Sequence, residues 1–327
     1  MNHFGNSPGG GVPNAAFIAG DWGTTHLRLY LCDRQGRVLE SKIGKGVASL
    51  QGRIERAFFD LIEGWQRHGK LPAILCGMAG STIGWREVPY LACPARLDGI
   101  AAKSLRFESG ERTIAIAPGL SCRNRLQAPD MMRGEETQIL GAVDGDSGLA
   151  AGRHLLCLPG THTKWVTLKD GVVEQFQTVL AGELFDILRR HSILVNADSL
   201  ADLTGGEAFA RALDQTRRFG DAELSHLLFE VRSRQLQGEL TREEAPAYLS
   251  GLIIGQDISG ARRLFQAELA ETGRVVVIGS SKLGALYAQA LEAHAIIPCY
   301  LDGEGASLAG LKALHDVLFS GNPGHAI

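Results

Sequence analysis

Short, uniformly apolar runs alternate along the chain with longer segments whose apolar positions recur every three to four residues. The first pattern predicts buried strands and the second amphipathic helices. Ala16-Phe17-Ile18-Ala19-Gly20 is such a run, and the turn signal Asp21-Trp22-Gly23-Thr24-Thr25 follows it. Leu27, Leu29 and Leu31 then alternate with His26 and Arg28, the period of a half-buried strand over 26–33. Asp33-Arg34-Gln35-Gly36 marks a hairpin turn before a third strand at 38–43. Over 53–68, Ile54, Phe58, Leu61, Ile62 and Trp65 stand at helical spacing. Strands are predicted at 73–76 and 113–117, and a helix at 135–143.

The opening pattern recurs at Leu155-Leu156-Cys157-Leu158. Pro159-Gly160-Thr161-His162-Thr163 follows, then a strand at 164–168, a Lys169-Asp170-Gly171 turn and a strand at 172–179. A constant offset sets Gly23 on Gly160, Thr24 on Thr161, Leu27 on Lys164 and Asp33 on Asp170, so the unit reads as an internal repeat. Beyond it, helices are predicted at 206–218, 221–235 and 242–270. Arg274-Val275-Val276-Val277-Ile278 reads as a buried parallel strand. Gly279-Ser280-Ser281, a helix to His294, a strand at 296–300 and a helix from Glu304 to about Phe319 complete the chain. A strand–helix–strand ending implies a parallel sheet, hence an α/β fold.

With 327 residues, the chain exceeds what one core usually serves, so two domains are expected, 15–150 and 151–327, after a flexible tail at 1–14. A net charge of −3 without a clustered basic face argues against a nucleic-acid partner. No apolar run reaches the length of a membrane span. The six cysteines are scattered, several within apolar runs, so buried reduced thiols and a cytoplasmic location are expected. The apolar, helical second half suggests a homodimer.

Candidate chemistry concentrates at the tight turns. Gly23 removes the side chain that would hold an anion away, while Thr24 and Thr25 add hydroxyls to converging backbone amides. Asp21, at the carboxyl end of its strand, could hold Mg²⁺ through water, or could simply cap a β-turn. Gly160-Thr161-His162-Thr163-Lys164 offers the same donors and a cation. Two such turns facing each other would clamp the β- and γ-phosphates of ATP. Gly279-Ser280-Ser281-Lys282-Leu283-Gly284, between a strand and a helix, suits a nucleotide. Only one βαβ unit remains there, which disfavours a dinucleotide-binding reading. Gly64 to Lys70 matches a P-loop in spacing, but Leu71 stands where the Mg²⁺-binding hydroxyl belongs.

An acceptor hydroxyl needs a base nearby, and Glu135 and Glu136 open a helix between the two turns in sequence. They could equally serve the helix dipole, and Asp130 is the other candidate. The glycine-rich loop Gly77-Met78-Ala79-Gly80-Ser81 leaves a strand end, as ligand loops do. Trp85 and Tyr90 could pack on a sugar chain or on the core. Arg28, Arg86, Arg133 and Lys164 are the cations considered for a substrate carboxylate. No histidine spacing suggests a protein-held metal.

These residues resemble a known family. Ile18-Ala19-Gly20-Asp21-Trp22-Gly23-Thr24-Thr25, Met132-Arg133-Gly134-Glu135-Glu136-Thr137-Gln138 and Leu158-Pro159-Gly160-Thr161-His162-Thr163-Lys164-Trp165-Val166 are similar to motifs of the 2-dehydro-3-deoxygalactonokinases. Cys76 to Ser81, Ala181-Gly182-Glu183-Leu184 and the segments 228–232 and 249–255 extend the similarity over nearly the whole chain. The resemblance implies a two-domain actin-like (ribonuclease H-like) ATPase fold with a duplicated β-hairpin phosphate-binding unit and a nucleotide cleft between domains. It implies phosphorylation of 2-dehydro-3-deoxy-D-galactonate at its 6-hydroxyl by ATP and Mg²⁺, in galactonate catabolism. A kinase of a related sugar acid or hexose, or a non-catalytic actin-like switch, is the alternative.

On this resemblance the phosphate contacts fall to Asp21, Gly23, Thr24, Thr25, Gly160, Thr161 and Lys164; the second turn itself adds His162 and Thr163, and Gly279, Ser280 and Ser281 are expected at the nucleotide. Asp21 is expected at the metal, and Glu135, Asp21 and Asp130 at the chemistry. Glu135 stands where other sugar kinases carry Asp. The expected substrate-binding set is Arg28, Gly77, Met78, Ala79, Gly80, Ser81, Trp85, Arg133 and Glu183.

Overall fold

The computed structural model describes residues 14–195 and 205–319, so the tail expected at 1–14 lies outside them save for residue 14. The first apolar run forms β1 (Ala15–Trp22), which turns into β2 (His26–Asp33) and β3 (Val38–Lys45) as an antiparallel meander. α1 (Ile54–Ile62) buries Ile54, Phe58 and Ile62 and leads to β4 (Ala73–Gly77), parallel to β1. Past a two-residue strand β5 (Leu91–Ala92) and α2 (Leu97–Lys103), the hairpin β6 (Leu105–Ser109) and β7 (Arg112–Ile116) completes a mixed sheet of order β3-β2-β1-β4-β7-β6. β8 (Leu120–Arg123) and β9 (Pro129–Met132) pair with β5 in a small separate sheet and lead into α3 (Glu135–Gly145).

The second half starts with another antiparallel meander, β10 (Arg153–Leu158), β11 (Thr163–Lys169) and β12 (Val172–Val179). A helical stretch follows: α4 (Ala181–His191), α5 (Glu207–Arg218), α6 (Leu224–Leu227), α7 (Glu230–Leu236), α8 (Ala245–Leu264) and α9 (Gln266–Thr272). β13 (Arg274–Gly279), α10 (Ser281–Ala293), β14 (Ile297–Asp302) and α11 (Gly303–Phe319) close the chain. This sheet runs β12-β11-β10-β13-β14, with β13 parallel to β10 and β14. Both sheets therefore place an antiparallel meander beside parallel strands, and the protein is α/β with mixed sheets.

Each sheet buries both faces, which is why β1, β4 and β13 read as continuous apolar runs rather than alternating ones. α1 covers the outer face of the first sheet over Trp22, Leu29 and Ile114. α5, α8 and α10 cover the second over Leu155, Cys157 and Trp165. The inner faces share one core, in which Phe17, Ile74, Leu156 and Ile278 meet α3 and α11 through Ile139, Leu140, Leu311 and Leu314. α3 and α11 touch backbone to backbone. A Cβ on Gly141 would lie 1.8 Å from the Ala306 carbonyl oxygen, and one on Gly310 would lie 1.9 Å from that of Thr137.

Three predicted helices differ in extent. The 53–68 helix tightens to 3₁₀ winding over Glu63–His68, where the buried Trp65 donates its indole N–H to Glu40 at 2.8 Å. The 242–270 helix breaks at Phe265 (φ −118°, ψ 34°), whose ring is buried against Trp165. The 221–235 helix is two short ones. Glu230 opens the second and accepts from Gln215 and Tyr248, which ties it to α5 and α8.

Candidate active site

The carboxyl ends of β1 and β4 meet the amino ends of α3 and α11. β1 and β4 pair Asp21 with Cys76, whose Sγ lies 3.8 Å from Asp21 Oδ1, and Arg28 approaches Oδ2 at 4.0 Å. Burial raises the Asp21 pKa, Arg28 and Cys76 oppose the shift, and the nearby Glu304 adds to it. Gly134, at φ +111°, turns the chain from β9 into α3, a conformation that favours glycine. The first two side chains of α3 then fold back onto backbone amides. Arg133 N–H donates to Glu135 Oε2 at 3.1 Å and Gly134 N–H to Glu136 Oε2 at 2.7 Å.

Glu135 also reaches the second sheet, where its Oε1 lies 3.9 Å from Lys164 Nζ, itself buried on β11. Burial raises the Glu135 pKa, Lys164 works against it, and Asp21 adds to it. Glu136 is fully buried, and burial followed by the Glu135 charge pushes it up to about 8. Both neighbouring carboxyls are thus pushed upward by burial: Glu136 keeps its proton at neutral pH, while Glu135 faces the opposing Lys164 cation.

Turn 23–26 has its carbonyls consumed on one side. Val47, Ala48 and Gly46 N–H groups donate to the oxygens of Gly23, Thr24 and Thr25, and Thr24 and Thr25 remain exposed. Across the second hairpin, Leu158 pairs with Lys164, leaving five residues between them against the four between Trp22 and Leu27. The single offset read from sequence therefore fails by one residue across the turn. Gly160 and Thr161 abut the start of α4: Glu183 N–H donates to the Thr161 oxygen at 2.9 Å, and a Cβ on Gly182 would lie 2.4 Å from the Gly160 oxygen. Beside them opens a cavity of about 530 Å³, lined among others by Gly160, Thr161, Phe185, Ile253, Lys282 and Leu283. Gly279 ends β13 against Pro159, and Ser280 caps α10 by accepting from Leu283 N–H at 3.4 Å.

A family model described as 2-keto-3-deoxy-galactonokinase matches residues 21–314. The chain belongs to this family. A Rhizobium meliloti (strain 1021) protein described as a probable 2-dehydro-3-deoxygalactonokinase, DgoK1, is 40% identical over 91% of this chain and 95% of its own. The Escherichia coli (strain K12) 2-dehydro-3-deoxygalactonokinase is 33% identical over 92% and 97%. A crystal structure from Sinorhizobium meliloti, described as a 2-dehydro-3-deoxygalactonokinase protein, superposes with a TM-score of 0.81 at 38% identity, over 93% of this chain and 99% of that one. Membership of this family makes the chain a kinase that uses ATP and an alcohol acceptor.

Of the residues expected at a galactonokinase-family site, the fold brings Asp21, Arg28, Glu135 and Lys164 together and gathers Gly160, Thr161 and the Gly279-Ser280-Ser281 strand end on the second sheet. Others sit elsewhere. Trp85 packs in an aromatic cluster with Trp22, Phe58, Phe59 and Phe107, and so belongs to the core. Thr163 is buried, its hydroxyl 2.8 Å from that of Tyr287, which donates to Asp257. His162 Nε2 contacts Glu183 Oε2 at 2.5 Å, and Glu183 lines the 530 Å³ cavity rather than the expected substrate loop.

Asp130 accepts from Thr178 N–H and hydroxyl, Asn124 and Met131 N–H, which ties the small sheet to β12 and occupies the carboxylate. Arg86 stacks on Phe107. In the loop 77–81, Gly77 takes φ +72°, Ser81 bonds back to the Met78 carbonyl, and the Ala79 oxygen accepts from Trp85 and Arg86 N–H. Gly80 lies so close to Arg133 that a Cβ would meet Nη1 at 2.7 Å. Arg133 lies over Tyr90 at 4.3 Å and donates from Nη2 to the Val88 carbonyl, while its buried Nε and Nη1 have no partner among the described residues.

Glu304 escaped sequence reasoning. It opens α11, accepts from Tyr30 hydroxyl at 2.9 Å and influences Asp21. The available signal was a Gly-Glu pair at the start of each inner helix, Gly134-Glu135 and Gly303-Glu304.

Proposed function

We propose that the chain transfers the γ-phosphoryl group of MgATP to the 6-hydroxyl of 2-dehydro-3-deoxy-D-galactonate, giving the 6-phospho acid in galactonate catabolism. The observation that carries this reading is the Glu135–Lys164 approach of 3.9 Å, which joins a candidate base at the start of α3 to a phosphate-turn cation on the second sheet. It supports an actin-like two-domain arrangement, 15–150 and 151–327, with a duplicated hairpin and a nucleotide cleft between the halves. The cavity beside Gly160, Thr161 and Leu283 is the seat assigned to the nucleotide, its wall of Phe185 and Ile253 suiting a purine.

Mg²⁺ fits this site by charge: the Glu304 carboxylate raises the Asp21 pKa, and Asp21 in turn raises that of Glu135. A single carboxylate suffices, because Mg²⁺ takes most of its ligands from phosphates and water. Asp21 would hold it, and the ion, when bound, neutralises charge on the transferring phosphoryl group. Lys164 then turns from Glu135 to the phosphates, freeing Glu135 to accept the hydroxyl proton. The α3 amino end keeps Glu135 oriented through Arg133 N–H. Arg133, with two buried donors unpartnered among the described residues, is assigned to the substrate carboxylate, for which a planar guanidinium is suited.

The test is ADP release with MgATP against 2-dehydro-3-deoxygalactonate, its gluconate epimer, glucose, glycerol and a blank. Turnover confined to the 2-dehydro-3-deoxy acids is expected, and ADP release indifferent to the acceptor would overturn the kinase reading.

A further inference from the structure

Behind the second phosphate turn lies a buried hydrogen-bonded chain that the phosphoryl transfer described above does not use. Asp257 stands in the middle of α8 and is only 7% exposed. Its Oδ1 accepts from the Trp165 indole N–H at 2.8 Å and its Oδ2 from the Tyr287 hydroxyl at 2.7 Å. Tyr287, on α10, lies 2.8 Å from the hydroxyl of Thr163. α8 and α10 therefore grip β11 at two residues, Thr163 and Trp165.

Those two residues bracket Lys164. Side chains alternate along a strand, so Thr163 and Trp165 face the layer of α8 and α10, while Lys164 shares the inner face with Val166. Strand pairing also thins at this point. The β10–β11 ladder runs as far as Leu158 and Lys164, whereas Thr163 is paired with Val179 of β12. The buried chain thus anchors the strand end where the ladder is weakest, one residue from the cation that meets Glu135.

Charge sets the direction of these bonds. Burial raises the Asp257 pKa to about 6 against the two hydrogen bonds, so at neutral pH the group is mainly a carboxylate and only accepts. Tyr287 gives its one proton to Asp257, which leaves the phenol oxygen to accept from Thr163. A buried carboxylate met by neutral donors costs stability that a well-packed apolar side chain would not. Packing by itself does not account for an acid here.

We propose that Asp257 is a positioning residue for phosphoryl transfer. Through Trp165 and the Tyr287–Thr163 pair it holds the start of β11 so that Lys164 stays aimed at Glu135 and the phosphates. The proposal rests on the role given to Lys164 above and deepens it.

The test is turnover with saturating MgATP and 2-dehydro-3-deoxygalactonate in Asp257→Asn and Tyr287→Phe, each alone and combined with Lys164→Met, with thermal melts to establish that each variant folds. Asn keeps the shape but turns an amide N–H toward one of two donors, and Phe keeps the ring while breaking the chain one link further on. Each single variant is expected to lower kcat about tenfold, within the range that a small misplacement of a reacting group produces, with an unchanged KM for the sugar acid. In the Lys164→Met background neither should lower kcat further, because a residue that acts through Lys164 has nothing left to position. Losses of equal size in both backgrounds would show a general structural role and overturn the proposal, as would wild-type kcat in either folded single variant. Wild-type kcat in Lys164→Met alone would be a separate failure, removing the Lys164 role and the proposal with it.

Discussion

Asp21 combines burial, a cation on one oxygen and a thiol on the other. Asp21→Asn preserves the side chain's shape and removes its charge. Turnover with MgATP should fall at least about 100-fold, the scale of losing one preorganised electrostatic contact, while the thermal transition stays close to wild type. Near-normal kcat would take the metal role away from this residue. Glu136 makes a prediction of a different kind. Its pKa rises from 4.5 to about 8 on folding, so between these values the folded chain holds a proton that the unfolded chain has released. Its stabilising contribution is complete below about pH 4.5 and is lost as pH climbs through 8. Thermal melts from pH 5 to 9 should therefore show Glu136→Gln gaining on wild type as pH rises. Parallel curves would mean that Glu136 titrates like an exposed acid.

The α3–α11 crossing depends on two missing side chains. Gly310→Ala puts a methyl where only 1.9 Å separates it from the Thr137 carbonyl oxygen, so the helices must move apart. Overpacking of this kind costs about 1–3 kcal/mol, and urea unfolding should register it as a lower midpoint with little change in slope. An unchanged midpoint would show that the helices separate freely. The small β5-β8-β9 sheet hangs on Asp130, whose two oxygens meet four donors. Asp130→Asn turns an amide against donors that need acceptors, a loss of about 1–3 kcal/mol, and should leave kcat within about twofold. A large fall in kcat at unchanged stability would restore Asp130 to the catalytic candidates. At this scale sequence was informative for long periodic segments and silent for β5, β8 and β9. These strands hold two to four residues and depend on a cross-sheet carboxylate, so no local pattern announces them.

At the scale of the whole molecule, α3 and α11 lie in the core shared by the two sheets, and the proposed nucleotide seat and candidate base come from opposite sides of it. If the halves close on substrate and nucleotide, water is excluded from the phosphoryl group. Small-angle scattering should then show a smaller radius of gyration with the sugar acid and a non-hydrolysable ATP analogue together than with either alone. An identical radius in all states would argue for a preformed site.

What the sequence determined by itself was local: buried strands from apolar runs, tight turns from Gly and Thr at their ends, and motif strings specific enough to imply the family. These depend on neighbours in the chain, whose spacing sets which backbone conformations are open. Only the tertiary structure decided which chemistry-bearing residues share a space. Trp85, Thr163 and Asp130 have types and positions that suit a site, yet packing turned them to an aromatic cluster, a buried hydroxyl network and an intersheet brace. Glu304, about 170 residues from Glu135 in sequence, comes within reach of Asp21 because α3 and α11 cross at glycines. Burial and charge at such meeting points are properties of the packed whole, and so are the proton affinities of Glu135 and Glu136.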